Sequence, residues 1–340
     1  MFYTKYRPQK FSEISKPNDV ADAIATQVKN EKIAHAYLFV GPRGTGKTTT
    51  ARILAKALNC EHLSKNGDPC DKCPSCIAIK NNSFFDLIEI DAASNRGIDD
   101  IRELKEKIKL APSSGNKKVY IIDEVHMLTT EAFNALLKTL EEPPSHTIFI
   151  LCTTELHKVP ETIKSRCQLF KFKRATISQL TEKLKQIVVS EGANVTDEDL
   201  RQIANAVHGG FRDAETFLQQ VIEGEIKTES LLNVGSISNI YDFVESLTAK
   251  DYKNAIRLVN KLYSDGIDLY VWTGELLKYL RSLMFISVDA HEGLLDVSED
   301  ILKDMKSQVK SMQTGQIINY LSAFDEASKG IKGTFITQLP

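Results

Sequence analysis

"AYLFVGPRGTGKTTTARILAKAL" occupies residues 36–58. A short apolar run rich in β-formers (36–40) ends at a glycine-rich turn, and a helical pattern opens immediately after it. The turn matches G-x-x-x-x-G-K-[ST] at Gly41, Gly46, Lys47 and Thr48, in the strand-to-helix context that the motif requires. Glycines there let backbone N–H groups turn inward around β- and γ-phosphates, and the helix N-terminus adds partial positive charge. Lys47 is placed to reach those phosphates, and the Thr48 hydroxyl to ligate Mg²⁺. The bland alternative is a turn that merely joins strand to helix; motif and context together favour the phosphate site.

Four more apolar runs follow: "DLIEID" (86–91), "KVYIID" (118–123), "TIFILCTT" (147–154) and "CQLFKF" (167–172). Helical spacing fills the intervals at 48–58, 99–110 and 131–142. This alternation predicts an α/β domain, a parallel five-stranded sheet with helices on both faces. The helix over 131–142 should stop ahead of Pro143-Pro144, because a residue before proline is pushed out of the α region. Asp123 closes the third run and Glu124 follows it. An Asp–Glu pair at a strand end is commonly just a loop start; sharing a sheet with the phosphate turn gives this one weight. Asp123 would hold Mg²⁺ through its water shell, and Glu124 would polarise the water attacking the γ-phosphate. ATP binding and hydrolysis is the expectation.

Cys60, Cys70, Cys73 and Cys76 crowd into "CEHLSKNGDPCDKCPSC" (60–76), while Cys152 and Cys167 stand apart. Four thiolates at these spacings can surround Zn²⁺ tetrahedrally and leave no position for water, which makes the metal structural. It would staple an excursion with too few apolar residues to fold alone. C-x2-C-x2-C also begins an iron–sulfur pattern, but here the fourth cysteine lies upstream. Four unliganded thiols are the other alternative, against which "SKNGDP" reads as polar and exposed. His62 could replace one cysteine. Cys152, inside a strand, reads as a small core residue.

A chain of 340 residues can hold two or three domains. With 43 Lys and Arg against 45 Asp and Glu, the net charge is −2, so any DNA binding must come from a local arrangement of donors. "MFYTKYRPQKF" (1–11) carries charge where a signal peptide needs an apolar run. "LLKYLRSLMFISV" (276–288) is interrupted by Lys278 and Arg281 and is too short to span a bilayer. A cytoplasmic protein without membrane contact is expected. After about residue 173 the strand signal fades. Ile177, Leu180, Leu184, Ile187 and Val188 share a helical face, with Thr176 as N-cap, and open a three-helix unit ending near 224. From about 236 the chain is helical again: Ala255, Leu258, Val259 and Leu262 follow the i, i+3, i+4, i+7 rule, as do Ile317, Ile318, Leu321 and Phe324 less strictly. The final "KGTFITQLP" leaves Pro340 where a helix could begin, which predicts a reading frame continuing past it.

The phosphate turn and four cysteines are followed in order by "EIDAASN" (89–95), "DEVHML" (123–128), "FNALLKTLEEPP" (133–144), "SRC" (165–167) and "GGFRDA" (209–214). This ordered set closely resembles the gamma/tau family of bacterial DNA polymerase III, the ATP-driven motors of the replicative clamp loader within the AAA+ superfamily. The resemblance is dense over residues 1–225 and looser beyond. It implies an AAA+ ATPase core at 1–173 with a zinc module at 60–76, a three-helix lid at 174–226 and an all-α collar for oligomerisation at 236–340.

By the same resemblance, the ATP contacts fall on Gly41, Gly44, Thr45, Gly46, Lys47, Thr48 and Thr49. The Walker B pair falls on Asp123 and Glu124, with magnesium held by Thr48 and Asp123, and the zinc ligands are Cys60, Cys70, Cys73 and Cys76. Sensor 1 is Thr153 or Thr154. Arg166 is the arginine finger that enters a neighbouring subunit's site, and Arg212 is sensor 2, reaching the same subunit's γ-phosphate. "KYRP" (Lys5 to Pro8) brings Tyr6, Arg7 and Pro8 to the adenine and ribose pocket, although "ISKPNDV" replaces the family's usual hydrophobic-Gly-Gln stretch and leaves base contacts from Ser15 to Pro17 open. Arg102 matches a position facing the DNA backbone. Implied partners are delta, delta-prime and further gamma/tau copies, the sliding clamp and primed DNA; implied cofactors are ATP, Mg²⁺ and Zn²⁺. The chain would be a subunit of a DNA-directed DNA polymerase holoenzyme. The competing readings are another AAA+ DNA motor, such as a branch-migration helicase, and a non-catalytic zinc-stapled scaffold.

Overall fold

Each of the five apolar runs forms a strand: β1 Ala36–Val40, β2 Leu87–Asp91, β3 Lys118–Asp123, β4 Thr147–Thr153 and β5 Gln168–Lys171. All pair parallel, in the order β2-β3-β4-β1-β5. The structure is a computed structural model describing residues 1–16, 18–95, 97, 104, 106–207, 209–224, 237–264, 267–290 and 299–331. The chain divides into two compact units, 1–225 and 226–340.

The period-two alternation of strand side chains splits the core of the first unit. Leu38, Tyr120, Ile122, Phe149 and Leu151 pack on one face with Phe133, Leu136 and Leu140 of the helix Thr130–Glu141. Tyr37, Phe39, Val119, Ile121, Ile150 and Cys152 pack on the other with Ile24 of the helix Asp19–Lys29 and Leu54 of the helix Lys47–Leu58. A sheet covered on both faces has no polar side to display, which is why its strands read as nearly unbroken apolar runs.

Element ends depart from the apolar runs where a polar side chain has other work. "DLIEID" begins at Asp86, but β2 begins at Leu87. The buried Asp86 carboxylate accepts from the backbone N–H groups of Ser113 (2.8 Å), Ser114 (2.7 Å) and Gly115 (2.8 Å) and organises the loop ahead of β3. Burial pushes its pKa up, but those donors outweigh it and hold the group below its ordinary value. β4 ends at Thr153, because Thr154 turns toward Glu124. The helix Thr130–Glu141 stops at Glu142, ahead of the two prolines, as expected.

The three helices Ile177–Glu191, Asp197–Ala206 and Phe211–Ile222 follow. Thr176 and Thr196 each close a capping box, with Gln179 and Asp199 as the returning side chains. The second unit holds the helices Ile237–Thr248, Tyr252–Ser264, Leu269–Ser287, Glu299–Val309 and Thr314–Ile331. Trp272, Leu276, Leu280 and Leu283 form the spine of its core. Ala255 and Leu262 are buried as their spacing predicts. Ile318 is a correction: Ile317 is buried, whereas Ile318, one residue and about 100° further round the helix, is 47% exposed. Among the described residues, no helix is long and apolar enough to cross a membrane.

Candidate functional site

A cleft of about 640 Å³ lies at the carboxyl ends of the strands, bordered by Gly44 to Thr50, Asp123 and Glu124. Ligands of open parallel sheets bind at this edge. Lys47 Nζ is buried and donates to the carbonyls of Gly41 (2.8 Å) and Pro42 (2.9 Å). Burial lowers its pKa, opposed by the nearby carboxylates of Glu124 and Asp123. Thr48 Oγ1 donates to Asp123 Oδ2 at 2.7 Å, so hydroxyl and carboxylate already share one locus. This is the pair a magnesium ion would take. Gly41 and Pro42 are not among the lining residues: Gly41 N–H continues the ladder by donating to the Thr153 carbonyl at 3.1 Å.

Glu124 adopts a left-handed backbone (φ 46, ψ 45), at a cost of about 1–2 kcal/mol for a residue with a Cβ. The turn carries its carboxylate across to the end of β4, where Oε2 accepts from Thr154 Oγ1 (3.0 Å) and from Thr154 N–H (3.3 Å). Thr153 is fully buried and faces elsewhere: its Oγ1 lies 3.0 Å from His126 Nδ1 and accepts from Glu155 N–H at 3.0 Å. Of the two threonines, Thr154 is therefore the one in contact with Glu124. His126 Nδ1 is also 3.4 Å from Glu124 Oε2, and His126 Nε2 is 3.3 Å from Glu155 Oε1. Thr154, from the end of β4, and His126, from the turn after β3, thus both meet the glutamate, and Glu155 backs His126.

The third wall comes from "GGFRDA". Phe211 N–H donates to the Gly44 carbonyl at 3.0 Å. Gly44 has φ +77, and a Cβ there would stand 3.2 Å from the Gly210 Cα, so two glycines let helix start and phosphate loop meet backbone to backbone. Arg212 lines the cleft with its guanidinium 4.7 Å from the centre of the Tyr3 ring, within cation–π range. Tyr3 was not foreseen from sequence. Arg7 and Pro8 line the cleft as expected, and Ile14 and Ser15 join them. Tyr6 is not among the lining residues. Its hydroxyl donates to Glu191 Oε1 at 2.5 Å, beside Lys5 Nζ at 2.7 Å. The helix Phe2–Lys5 is anchored by Phe2 N–H on Gln219 Oε1 (2.9 Å), presents Tyr3 inward and leaves Tyr6 against the helix Ile177–Glu191.

Glu215 is the second residue that sequence reasoning missed. It lines the cleft at 5% exposure, and burial raises its carboxyl to about 7 despite the opposing charges of Lys183 and Arg7. A signal existed: Glu215 stands beside Ala214 and three residues ahead of Leu218, on the apolar face of its helix. Arg166 lies outside the cleft. Its guanidinium donates to the Thr162 carbonyl at 2.7 Å and pairs with Glu141 Oε1 at 2.6 Å, one-third exposed. Arg102 and Pro17 lie outside the described residues.

The cysteine cluster begins two residues beyond the end of the helix Lys47–Leu58. All four Sγ atoms of Cys60, Cys70, Cys73 and Cys76 lie within 4.8 Å of one another. A tetrahedral zinc at about 2.3 Å from each sulfur spaces them by about 3.8 Å, so the donor set fits with small adjustments. Cys70 Sγ accepts from the N–H groups of Lys72 (3.4 Å) and Cys73 (3.2 Å), and Cys60 Sγ from Cys70 N–H (3.2 Å). Burial works against the Cys70 thiolate, but those donors outweigh it and bring the group to about 6. His62 is exposed and not part of the set.

"SKNGDP" is less exposed than its composition suggests: Gly67, Asp68 and Pro69 are buried. A Cβ on Gly67 would stand 2.4 Å from the Ala25 carbonyl, and Asp68 Oδ1 accepts from Ser12 N–H at 3.2 Å. From the helix Lys47–Leu58, the fully buried Lys56 donates to Gln9 Oε1 at 3.0 Å and pairs with Asp71. The module is clamped onto the fold by these contacts as well as by its own sulfurs.

A family model described as "DNA polymerase III, delta subunit" matches residues 16–176. The DNA polymerase III subunit tau of Bacillus subtilis (strain 168) is 42% identical over 336 residues, which is 96% of this chain and 60% of that protein. The DNA polymerase III subunit gamma of Buchnera aphidicola is 39% identical over 289 residues, 83% of this chain and 79% of the relative. The chain thus spans about three-fifths of the Bacillus relative's length. Among solved structures, the Thermotoga maritima RuvB Holliday junction branch migration motor superposes with a TM-score of 0.51 at 18% identity, covering 77% of this chain and 86% of that one; this likeness is one of fold. On the identity and coverage of these relatives, the chain belongs to the gamma/tau family of DNA polymerase III subunits.

Proposed function

We propose that this chain is an ATP-driven motor subunit of the bacterial replicative clamp loader, which binds and hydrolyses ATP to open the sliding clamp and load it on primed DNA. The observation carrying this reading is the Thr48 Oγ1 to Asp123 Oδ2 contact at 2.7 Å, with Lys47 buried beside it and Glu124 adjoining. ATP would lie with its phosphates along Gly44 to Thr49. Magnesium, held by Thr48 and Asp123, would neutralise phosphate charge. Lys47 would exchange its two carbonyl partners for phosphate oxygens, and Glu124 would orient the attacking water. Glu124 must first leave Thr154, which makes Thr154 the residue that couples the end of β4 to the state of the glutamate.

Arg166 cannot serve the cleft of its own chain while it lies outside it, so it would act on a neighbouring subunit and make hydrolysis wait for assembly. Arg212 would read the γ-phosphate from the lid at 174–226. Helices of residues 236–340 would form the collar that joins this chain to delta, delta-prime and further copies. DNA would be held by donors tracking phosphates without reading sequence, which suits a net charge of −2. Zinc held by the four cysteines would be structural, with no step of hydrolysis passing through it. An intact phosphate site disfavours the scaffold reading. The decisive experiment is ATP turnover with and without partner subunits, clamp and primed DNA. Turnover should rise strongly with all of them; a rate indifferent to them would refute the motor reading.

A further inference from the structure

We infer that the carboxyl of Glu215 is a specificity-determining contact for the nucleoside half of the bound nucleotide. This rests on the reading of the cleft as an ATP site. Phosphates are located by the loop at Gly44 to Thr49, and the helix Phe211–Ile222 starts against that loop through Phe211 N–H on Gly44. Glu215 is three residues after Arg212 on the same helix, about 4.5 Å further along its axis, and lines the same cleft. Arg7 and Lys183 bring their charges to bear on it, and Pro8, Ile14 and Ser15 of the N-terminal segment line the same cleft. Pro8 and Ile14 offer apolar surface suited to a base.

Glu215 is 5% exposed, and among the described residues no donor hydrogen-bonds its side chain. Lys183 spends its Nζ on the Tyr6 carbonyl at 2.9 Å. What remains accessible of this side chain faces the cleft, where its carboxyl is open to a hydrogen-bond partner on a bound ligand. An ionised carboxylate only accepts, so its complement must donate. ATP supplies two such donors beyond its phosphates: the 6-amino group of adenine and the ribose hydroxyls. Burial raises Glu215 to about 7, so near neutral pH the group also exists as an acid that can donate to a ring nitrogen while accepting from the 6-amino group.

The test is binding of ATP, purine riboside triphosphate (which lacks the 6-amino group), 2′-deoxy-ATP and 3′-deoxy-ATP, each with magnesium, to the purified full chain and to Glu215→Leu and Glu215→Gln, by titration calorimetry. The wild-type chain should bind ATP at least about tenfold more tightly than the analogue lacking the partner of Glu215: purine riboside triphosphate if the base is read, a deoxynucleotide if the sugar is. Glu215→Leu should lose that preference by weakening ATP alone, and Glu215→Gln should retain part of it. Thermal melts confirm that both variants fold. Wild-type preferences preserved in Glu215→Leu, or no preference in the wild type, overturn the inference. Failure of the wild-type chain to bind ATP at all would instead overturn the reading of the cleft.

Discussion

The two ends of the helix Lys47–Leu58 are built to opposite specifications. At its N-terminus, Lys47 and Thr48 spend their polar atoms on provisional partners: backbone carbonyls that a phosphate can replace and a carboxylate that a metal can share. Just beyond its C-terminus, four sulfurs face one another within 4.8 Å, and backbone N–H groups are already directed at them. On the proposed reading, one end is open because nucleotide and magnesium would come and go, and the other is closed because a structural metal would stay. Chemistry and staple would then share an element about 18 Å long without sharing a task. What links them mechanically is Lys56, buried between Gln9 and Asp71, which ties the helix to both the N-terminal segment and the cysteine module.

That contrast can be broken at either end. The largest effect belongs to Arg166→Ala, which should leave nucleotide binding intact and lower partner-stimulated ATP turnover by about a thousandfold. Unchanged stimulated turnover would remove the neighbour's arginine from the account. Lys47→Ala should reduce turnover by about a hundredfold or more, through loss of charge at the phosphates, and leave zinc content at one per chain by elemental analysis. A loss of zinc in that variant would mean that the two ends are not independent.

Cys70→Ser should do the reverse. It should release the metal and lower the melting temperature, while the intact chain below its transition still binds ATP. Zinc retained at one per chain would show that the ligand set is wrong. Lys56→Met tests the link itself: it removes the buried hydrogen bonds to Gln9 and Asp71 and leaves Asp71 with Lys80, so it should cost about 2 kcal/mol in denaturant unfolding, and a cost near zero would show that the module is held by its sulfurs alone.

The smallest expected effect is a pH slope. Glu215 is raised by burial from 4.5 to about 7, against Lys183 and Arg7. Between those values the folded chain binds a proton that the unfolded chain has released. Its contribution to stability is therefore greatest below pH 4.5 and declines as pH rises through about 7. Glu215→Leu should flatten that part of the stability profile; an unchanged slope would assign it to other groups.

The sheet was legible because burial on both faces writes itself into the three inner strands, and Tyr37, Phe39, Tyr120 and Ile122 needed no partner to be recognised. The phosphate loop was legible because its residues are consecutive. Tyr3 and Glu215 were not: neither belongs to a motif, and each reaches the cleft by how a short helix docks or a helix face is turned. Tyr6 shows the same limit from the other side, since adjacency to Arg7 and Pro8 says nothing about which ring a helix turn directs inward. Thr153 and Thr154 are equivalent as letters, and strand alternation separates them once β4 is in place.

From its sequence alone, this chain determined which residue types can cradle phosphate, share magnesium and gather around zinc, because those requirements are local and spaced within a turn or a loop. Tertiary structure decided which of them face one another. Arg166 lies outside its own cleft, Glu124 rests on Thr154, and a buried Glu215 lines the wall, because direction depends on packing between elements far apart in the chain.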